Sequence, residues 1–471
     1  MSRRRISWRC LMRCVEKVNG NRKSEVGSRK GNNSFTSHFL QRRLPSILTP
    51  QRKRNLMFSS RIPWDLQANP LSKILAEKEK QNLKSGDYLK SGDFSYKPII
   101  YMTESNPTRC GLEYASDAIL KAISPPRLLF YEPHPKGLLE ARKAISEYYQ
   151  TIGREVNPHN VILTASTSEA YSFLFKLLGN WGDSVLVPHP SYPLFEYLAT
   201  LEGIQLVPYQ MEYIHPAGWF IDLDNIRTAI NSRTKAVIIV NPNNPTGSYI
   251  QEGELKELIA ICKNHQLVLI SDEVFCDYQV DIRKTAIPSL AGQVVHPDKV
   301  GEEILTFVLN GFSKMLGLPQ LKLGWIVSNG PDELLQQALD RLELIADTFL
   351  SVGTQVQLAT PDLLLLRDAF QQQVIHRLKD NVQIIEATIR DTPFRLLRCE
   401  GGWSAVLEIP RFIPEEEVVS GLLLKENTLV HPGYFFDFPR EGYIVFSLLI
   451  QSEIMGEGMK RIVRYFNRLG G

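Results

Sequence analysis

Three short segments carry side chains whose type and spacing could do covalent chemistry. Lys314 lies in Asn310-Gly-Phe-Ser-Lys-Met-Leu-Gly317, with Ser313 beside it, directly behind the hydrophobic run Leu305-Thr-Phe-Val-Leu309. A lysine taken out of water loses its proton easily, because burial penalises the ammonium; the free amine is then a nucleophile toward carbonyl carbon and a base. Asp272 closes the run Leu267-Val-Leu-Ile-Ser-Asp272 and opens Asp272-Glu-Val-Phe275. A carboxylate set against a basic ring nitrogen raises that nitrogen's affinity for its proton, since opposite charge favours the charged form. The third segment, Asn241-Pro-Asn-Asn-Pro-Thr-Gly247, is a proline-rich turn that carries the amide of Asn244. Singly, each has a plain alternative: a solvated lysine, a helix N-cap aspartate, a surface turn. Their joint occurrence favours the chemical reading.

A fourth segment could hold an anion. Thr164-Ala-Ser-Thr-Ser-Glu-Ala170 opens a helix: Ser166 with Glu169 three residues on forms a capping box, and Tyr171, Leu174, Phe175 and Leu178 then share one face. The free amides and the dipole at such an N-terminus attract negative charge.

These side chains need a frame. From about residue 130 helical stretches alternate with short β-branched runs, among them Val185-Leu-Val187, Ala236-Val-Ile-Ile-Val240, Leu267-Val-Leu-Ile270, Leu305-Thr-Phe-Val-Leu309 and Leu323-Gly-Trp-Ile-Val327. Buried strands separated by helices imply βαβ units and a mostly parallel sheet. Ligands of such α/β sheets sit beyond the carboxyl ends of the strands. Asn244, Asp272 and Lys314 each fall at or just after a strand end, so the pattern predicts one crevice for all three. After Pro331 one long helix is expected through about Leu358, followed by a helix over 363–392 and strands at Ser404-Ala-Val-Leu-Glu408 and Tyr443-Ile-Val-Phe-Ser447.

In that order, the segments around Asn244, Asp272 and Lys314 resemble the fold-type-I pyridoxal-phosphate enzymes, and among them the class I/II aminotransferases, from about Pro98 to the C-terminus. The resemblance implies an α/β fold: a large domain with a mostly parallel central sheet flanked by helices, plus a smaller α+β domain. The expected division is 1–56 as a basic extension, 57–125 as an N-terminal arm and part of the small domain, 126–345 as the cofactor-binding domain and 346–471 as the rest of the small domain. It further implies that Lys314 forms a Schiff base with pyridoxal 5′-phosphate, that Asp272 faces the pyridine nitrogen and that Asn244 bonds the 3-hydroxyl oxygen. Ser166, Thr167, Ser168, Ser313 and Lys322 would hold the phosphate side, and Tyr192 would stack on the ring. Tyr131, in Tyr131-Glu-Pro-His-Pro-Lys-Gly137, would reach the neighbouring subunit's phosphate in a homodimer with shared sites. The activity implied is transfer of an amino group from an amino acid to a 2-oxo acid. A lyase eliminating a β- or γ-substituent is the alternative on the same apparatus, and a cofactor-sensing transcription regulator a more distant one.

The chain departs from the family pattern in three places. Lys322 stands where an arginine usually clamps the phosphate, keeping the charge and losing the bidentate fork. Phe275 stands where a tyrosine commonly bonds the 3-hydroxyl oxygen. Val445, in Gly442-Tyr-Ile-Val-Phe-Ser447, replaces the arginine that grips the substrate carboxylate. Arg109, the cation of Ser105-Asn-Pro-Thr-Arg-Cys-Gly111, is expected to take over that role with help from Asn106.

Composition bounds the remaining classes. Hydrophobic residues at 43% and charged ones at 22% are ordinary for a globular protein, and no apolar run approaches the roughly 18 residues of a membrane span. Residues 1–56 hold 15 of the 54 basic residues but only Glu16 and Glu25 of the 51 acidic ones, so the extension is net +13 and the body, 39 against 49, net −10. An acidic body argues against a nucleic-acid groove. The extension suits a disordered tail, an organellar transit peptide, or translated upstream sequence ahead of a start at Met57. Six scattered cysteines complete no metal site and read as reduced thiols in a cytoplasmic setting.

Overall fold

The computed structural model describes residues 69–85, 98–193, 195–294 and 303–470, with Ser59 and Arg61 beside them. The extension 1–56 and Met57 lie outside the described residues.

The β-branched runs become strands of one eight-stranded sheet. In chain order these are β1 Val161–Thr164, β2 Ser184–His189, β3 Gln205–Ile214, β4 Gly218–Ile221, β5 Thr234–Val240, β6 Val268–Asp272, β7 Thr306–Gly311 and β8 Gly324–Asn329. Across the sheet they run β1-β8-β7-β6-β5-β2-β3-β4. The neighbours from β7 to β3 pair in parallel, while β8 is antiparallel to both β1 and β7, and β4 to β3.

Both faces of this sheet are covered, which is why its central strands read as unbroken apolar runs instead of alternating ones. Successive side chains point to opposite faces. Thus Phe307 and Leu309 of β7 pack with helices α2 (Thr167–Leu178) and α3 (Asp332–Phe349), whereas Val308 packs with α1 (Leu139–Thr151) and α4 (Thr354–Leu365). Full burial of one such side chain contributes about 1.5–3 kcal/mol, so the run as a whole pins the register that aims the strand ends.

The single long helix expected after Pro331 is instead two, α3 and α4, parted at residues 350–353. Leu350 takes a left-handed φ of 67°, and the Ser351 hydroxyl both donates to the His134 carbonyl (2.9 Å) and accepts from its amide (3.0 Å). Tertiary anchoring there overrides helical periodicity. Helix α5 follows as Arg367–Ile389.

A second, four-stranded sheet is antiparallel throughout: β9 Arg395–Leu396, β10 Ser404–Glu408, β11 His431–Pro432 and β12 Tyr443–Ser447, in the order β9-β10-β12-β11. The chain near its start joins this part, because Ile100–Tyr101 pairs in parallel with Thr428–Leu429. The two sheets meet at the loop after β5. There the Gly247 carbonyl accepts the amides of Glu400 (3.1 Å) and Gly401 (2.9 Å), and a Cβ on Gly247 would lie 2.5 Å from the Gly401 oxygen. Its φ of 71° adds a second reason for glycine.

Candidate active site

Five strand ends deliver the polar side chains. Ser166–Ser168 follow β1, Tyr192 follows β2, Asn244 follows β5, Asp272 ends β6 and Lys314 follows β7. All five are carboxyl ends of parallel strands and so lie along one edge of the sheet, where α/β folds place their ligands.

Asp272 is pinned between its neighbours, opposite Val240 of β5 and Leu309 of β7. It caps no helix: one carboxylate oxygen accepts the Val274 amide two residues on (3.3 Å), and the other accepts the Tyr171 hydroxyl from α2 (3.0 Å). Burial raises its pKa to about 6, against the opposing pull of the Val274 amide, the Tyr171 hydroxyl and the Lys314 ammonium. The same burial pushes the Tyr171 phenol well above its ordinary value, so this hydroxyl is a donor at any working pH.

Lys314 sits in the one-turn helix Phe312–Met315. Gly311, just before it, passes so close to β8 that a Cβ would lie 2.7 Å from the Leu323 oxygen and 2.8 Å from the Gly324 Cα. The Lys314 amine lies 5.4 Å from the centre of the Phe275 ring and 5.0 Å from that of Trp403. This dry setting lowers its pKa to about 8, the Asp272 charge acting in the opposite sense. The Tyr278 hydroxyl fixes the backbone by donating to the Lys314 carbonyl (2.6 Å).

Asn244 is held from the second sheet, its side-chain oxygen accepting the Ser404 hydroxyl (3.3 Å). At the start of α2, Ser166 is the N-cap and accepts the Glu169 amide (3.2 Å). The capping box expected from the sequence is displaced by one residue, because the Glu169 carboxylate reaches back to the Ala165 amide (2.6 Å) and not to that of Ser166. A Cβ on Gly324 would stand 3.0 Å from the Ser166 carbonyl carbon and the Thr167 nitrogen, so the absent side chain keeps space open at this helix end.

The other expected residues are dispersed. Tyr192 is half-buried just past β2, with Ser313 half-buried beside Lys314. Lys322 is exposed, in a left-handed conformation two residues before β8. Tyr131 is 73% exposed. Asn106 caps a short 3-10 turn by accepting the Thr108 amide (3.1 Å), and Arg109, at the end of that turn, faces solvent. Val445 is buried in β12 opposite Val406 and His431. Three residues around Asp272 and Lys314 were not singled out for chemistry in the sequence: Tyr171, Tyr278 and Trp403. The only available signal was the place of Tyr171 on the apolar face of its helix.

Residues 79–448 match the family model described as aminotransferase class I and II. The chain is 30% identical over 315 residues to the glutamate-pyruvate aminotransferase AlaA of Escherichia coli K12, covering 64% of this chain and 74% of that one. It is 32% identical over 264 residues to the protein of that name from Haemophilus influenzae, of which it spans 62%, and 27% identical to the alanine aminotransferase of Mycobacterium tuberculosis over 377 residues, 77% of this chain and 84% of that one. Among solved structures, an aminotransferase from Escherichia coli superposes with a TM-score of 0.69 at 27% identity over 82% of this chain and 94% of its own. The alanine aminotransferase of Pyrococcus furiosus shares the fold at a TM-score of 0.70 and 24% identity, over 85% of this chain and all of its own.

Proposed function

The chain belongs to the class I and II aminotransferases, enzymes that work with pyridoxal 5′-phosphate, and on that premise we propose that an amino acid gives up its amino group to a 2-oxo acid in the crevice at the ends of β1, β2, β5, β6 and β7. The observation that carries the reading is the pair of buried Asp272 and half-buried Lys314, an acid held near pKa 6 whose charge acts on an amine held near 8. The surroundings fit the cofactor: a carboxylate for a ring nitrogen, a dry amine for an aldehyde, and a helix N-terminus with room left by Gly324 for a phosphate. When bound, the cofactor supplies the electron sink for the carbanion at the substrate α-carbon.

Each residue then has a definite task. Asp272 keeps a negative charge against the ring nitrogen at neutral pH, and Tyr171 and the Val274 amide hold that carboxylate in place. Lys314 Nζ is the covalent anchor and, once released, the base that moves a proton; with a pKa about one unit above neutrality, about a tenth of it is unprotonated at pH 7. Ser166, Thr167, Ser168, Ser313 and Lys322 serve the phosphate, Asn244 the ring hydroxyl and Tyr192 the ring face. Arg109 with Asn106 receives the substrate carboxylate. We place the cofactor-binding domain at 126–345 and the small domain at 57–125 with 346–471, supported by the first sheet lying between Val161 and Asn329 and the second between Arg395 and Ser447. Among the described residues no helix is long and apolar enough to cross a membrane. A homodimer is supported by the exposed run Leu129, Phe130 and Tyr131, at 83%, 68% and 73% exposure, which a second copy would cover. The relatives named above are aminotransferases, which does not favour the lyase or the regulator.

A panel of amino-acid donors against several 2-oxo acids, followed by cofactor absorbance, tests this reading. Turnover is expected to require the acceptor; turnover of an amino acid alone would point to elimination. Lys314→Ala is expected to bind the cofactor without the covalent link and to lose turnover, checked by borohydride reduction and mass spectrometry. Cofactor fixed by borohydride on another lysine would sink the assignment.

A further inference from the structure

A few residues past Asp272, a cavity of about 470 Å³ opens between the segment that follows β6 and α5. Cys276, Asp277 and Ser289 bound it on one side, Ile375 and Lys379 of α5 on the other, and Arg154 borders it as well. None of the residues assigned above to the cofactor or substrate lines it.

Its lining carries two cations, Arg154 and Lys379, and one carboxylate, Asp277. Arg154 is half-buried, and its guanidinium makes neither a hydrogen bond nor an ion pair with any described residue; burial lowers its pKa, the Glu273 charge pulling the other way. Glu273 makes no ion pair with Arg154, its carboxylate accepting the Ser271 and Ser289 hydroxyls and the Leu290 amide. Asp277, in the same wall, accepts the Tyr148 hydroxyl (3.0 Å) and forms no ion pair with Arg154. Lys379 is exposed and likewise unpaired among the described residues. A half-buried cation without a partner is costly, and an anion from outside relieves the cost. Of the remaining wall, Ile152, Pro288 and Ile375 are apolar and Gln279 is polar but uncharged, so the wall offers an apolar body a surface as well as an anion a partner. Pockets of this mixed kind, apolar with a few convergent charges and set between layers, are where small organic ligands bind.

We propose that this cavity is a second ligand site for a small organic carboxylate, its anionic group on Arg154 and Lys379 and its apolar body against Ile152, Pro288 and Ile375. The site is linked to the reaction crevice through the chain and through side-chain hydrogen bonds. The segment that lines it runs on to Tyr278, which holds the Lys314 carbonyl, and the Pro288 carbonyl accepts from Asn241 (3.2 Å) in the turn that carries Asn244.

Benzoate is a suitable probe, with benzyl alcohol as its uncharged counterpart and inorganic phosphate as an anion without a body. Each is titrated calorimetrically at fixed ionic strength into the cofactor-loaded protein and into Arg154→Gln, Lys379→Gln and the double variant, with amide hydrogen exchange to locate the site. Benzoate should bind saturably and slow exchange in residues 276–280 and 286–290. Each single variant should weaken it about tenfold or more, as expected for loss of a charge-assisted contact. The double variant should lose it, and the alcohol and phosphate should bind at least about tenfold more weakly. Lys379 is exposed and makes no side-chain hydrogen bond with any described residue, so its variant reports even if Arg154→Gln fails to fold. Benzoate affinity unchanged in Lys379→Gln, equal affinity for the alcohol, or no saturable binding at all overturns the proposal; binding that survives both substitutions belongs to the reaction crevice and overturns it equally.

Discussion

Burial acts on Asp272 and Lys314 in opposite directions, and for the acid this has a price in stability. The folded pKa of Asp272, about 6, lies above the unfolded value near 4. The folded state therefore holds this proton more tightly than the unfolded chain, so the contribution of Asp272 to stability is greatest below pH 4 and falls as pH rises from about 4 to about 6. In cofactor-free protein, Asp272→Asn should gain about 2–3 kcal/mol at pH 7.5, from about two units at 1.36 kcal/mol each, and the gain should vanish near pH 4. With the cofactor loaded the same variant should turn over far more slowly. A melting temperature at pH 7.5 at or below wild type would mean that Asp272 carries no such strain. For the substrate, Arg109→Ala should raise the Michaelis constant of the best amino donor about ten- to a hundredfold, the loss of one charge-assisted contact, with cofactor content unchanged; an unaltered constant would exclude Arg109. Lys314, Asp272 and Asn244 were legible because each ends a recognisable apolar run. Tyr171, Tyr278 and Trp403 were not, because their roles exist only through contacts with Asp272 and Lys314 that span 101 residues for Tyr171 and 36 for Tyr278.

Elements long enough to bury both faces could be read from the chain, as β2, β5, β6, β7 and β8 were, and so could β10 and β12 of the second sheet. The hairpin of β3 and β4 escaped because it lies at the sheet edge, where most of its side chains are exposed or only half-buried and Pro208 interrupts the run. Two-residue strands such as β9 and β11 carry no periodicity at all. What joins the sheets is equally invisible in sequence. Glu400 is buried and takes a forked pair of bonds from Arg283 (both 2.8 Å) together with the Tyr249 amide (3.2 Å). Removing one member of a buried pair leaves an uncompensated charge and costs about 3–5 kcal/mol, so Glu400→Gln should lower the denaturation midpoint by that order and loosen the turn that presents Asn244. A midpoint within experimental error of wild type would show that the pair is replaceable by water.

For the molecule as a whole, the proposed homodimer gives the exposed Tyr131 a testable place. If it completes the partner's site, Tyr131→Ala should weaken cofactor binding, and mixing that protein with Lys314→Ala under subunit exchange should restore activity neither has alone, since the mixed pair contains one intact site. No recovery on mixing would place both residues in the same site of one chain. A last consequence follows from β8, whose antiparallel course inserts it between β1 and β7. The helix end after β1 and the lysine after β7 are thereby kept two strand spacings apart, about 10 Å, by backbone hydrogen bonds that no side-chain substitution alters. The sheet thus works as a gauge: a molecule must have a fixed length to touch both ends, and Gly324, standing in the intervening strand, leaves its path clear.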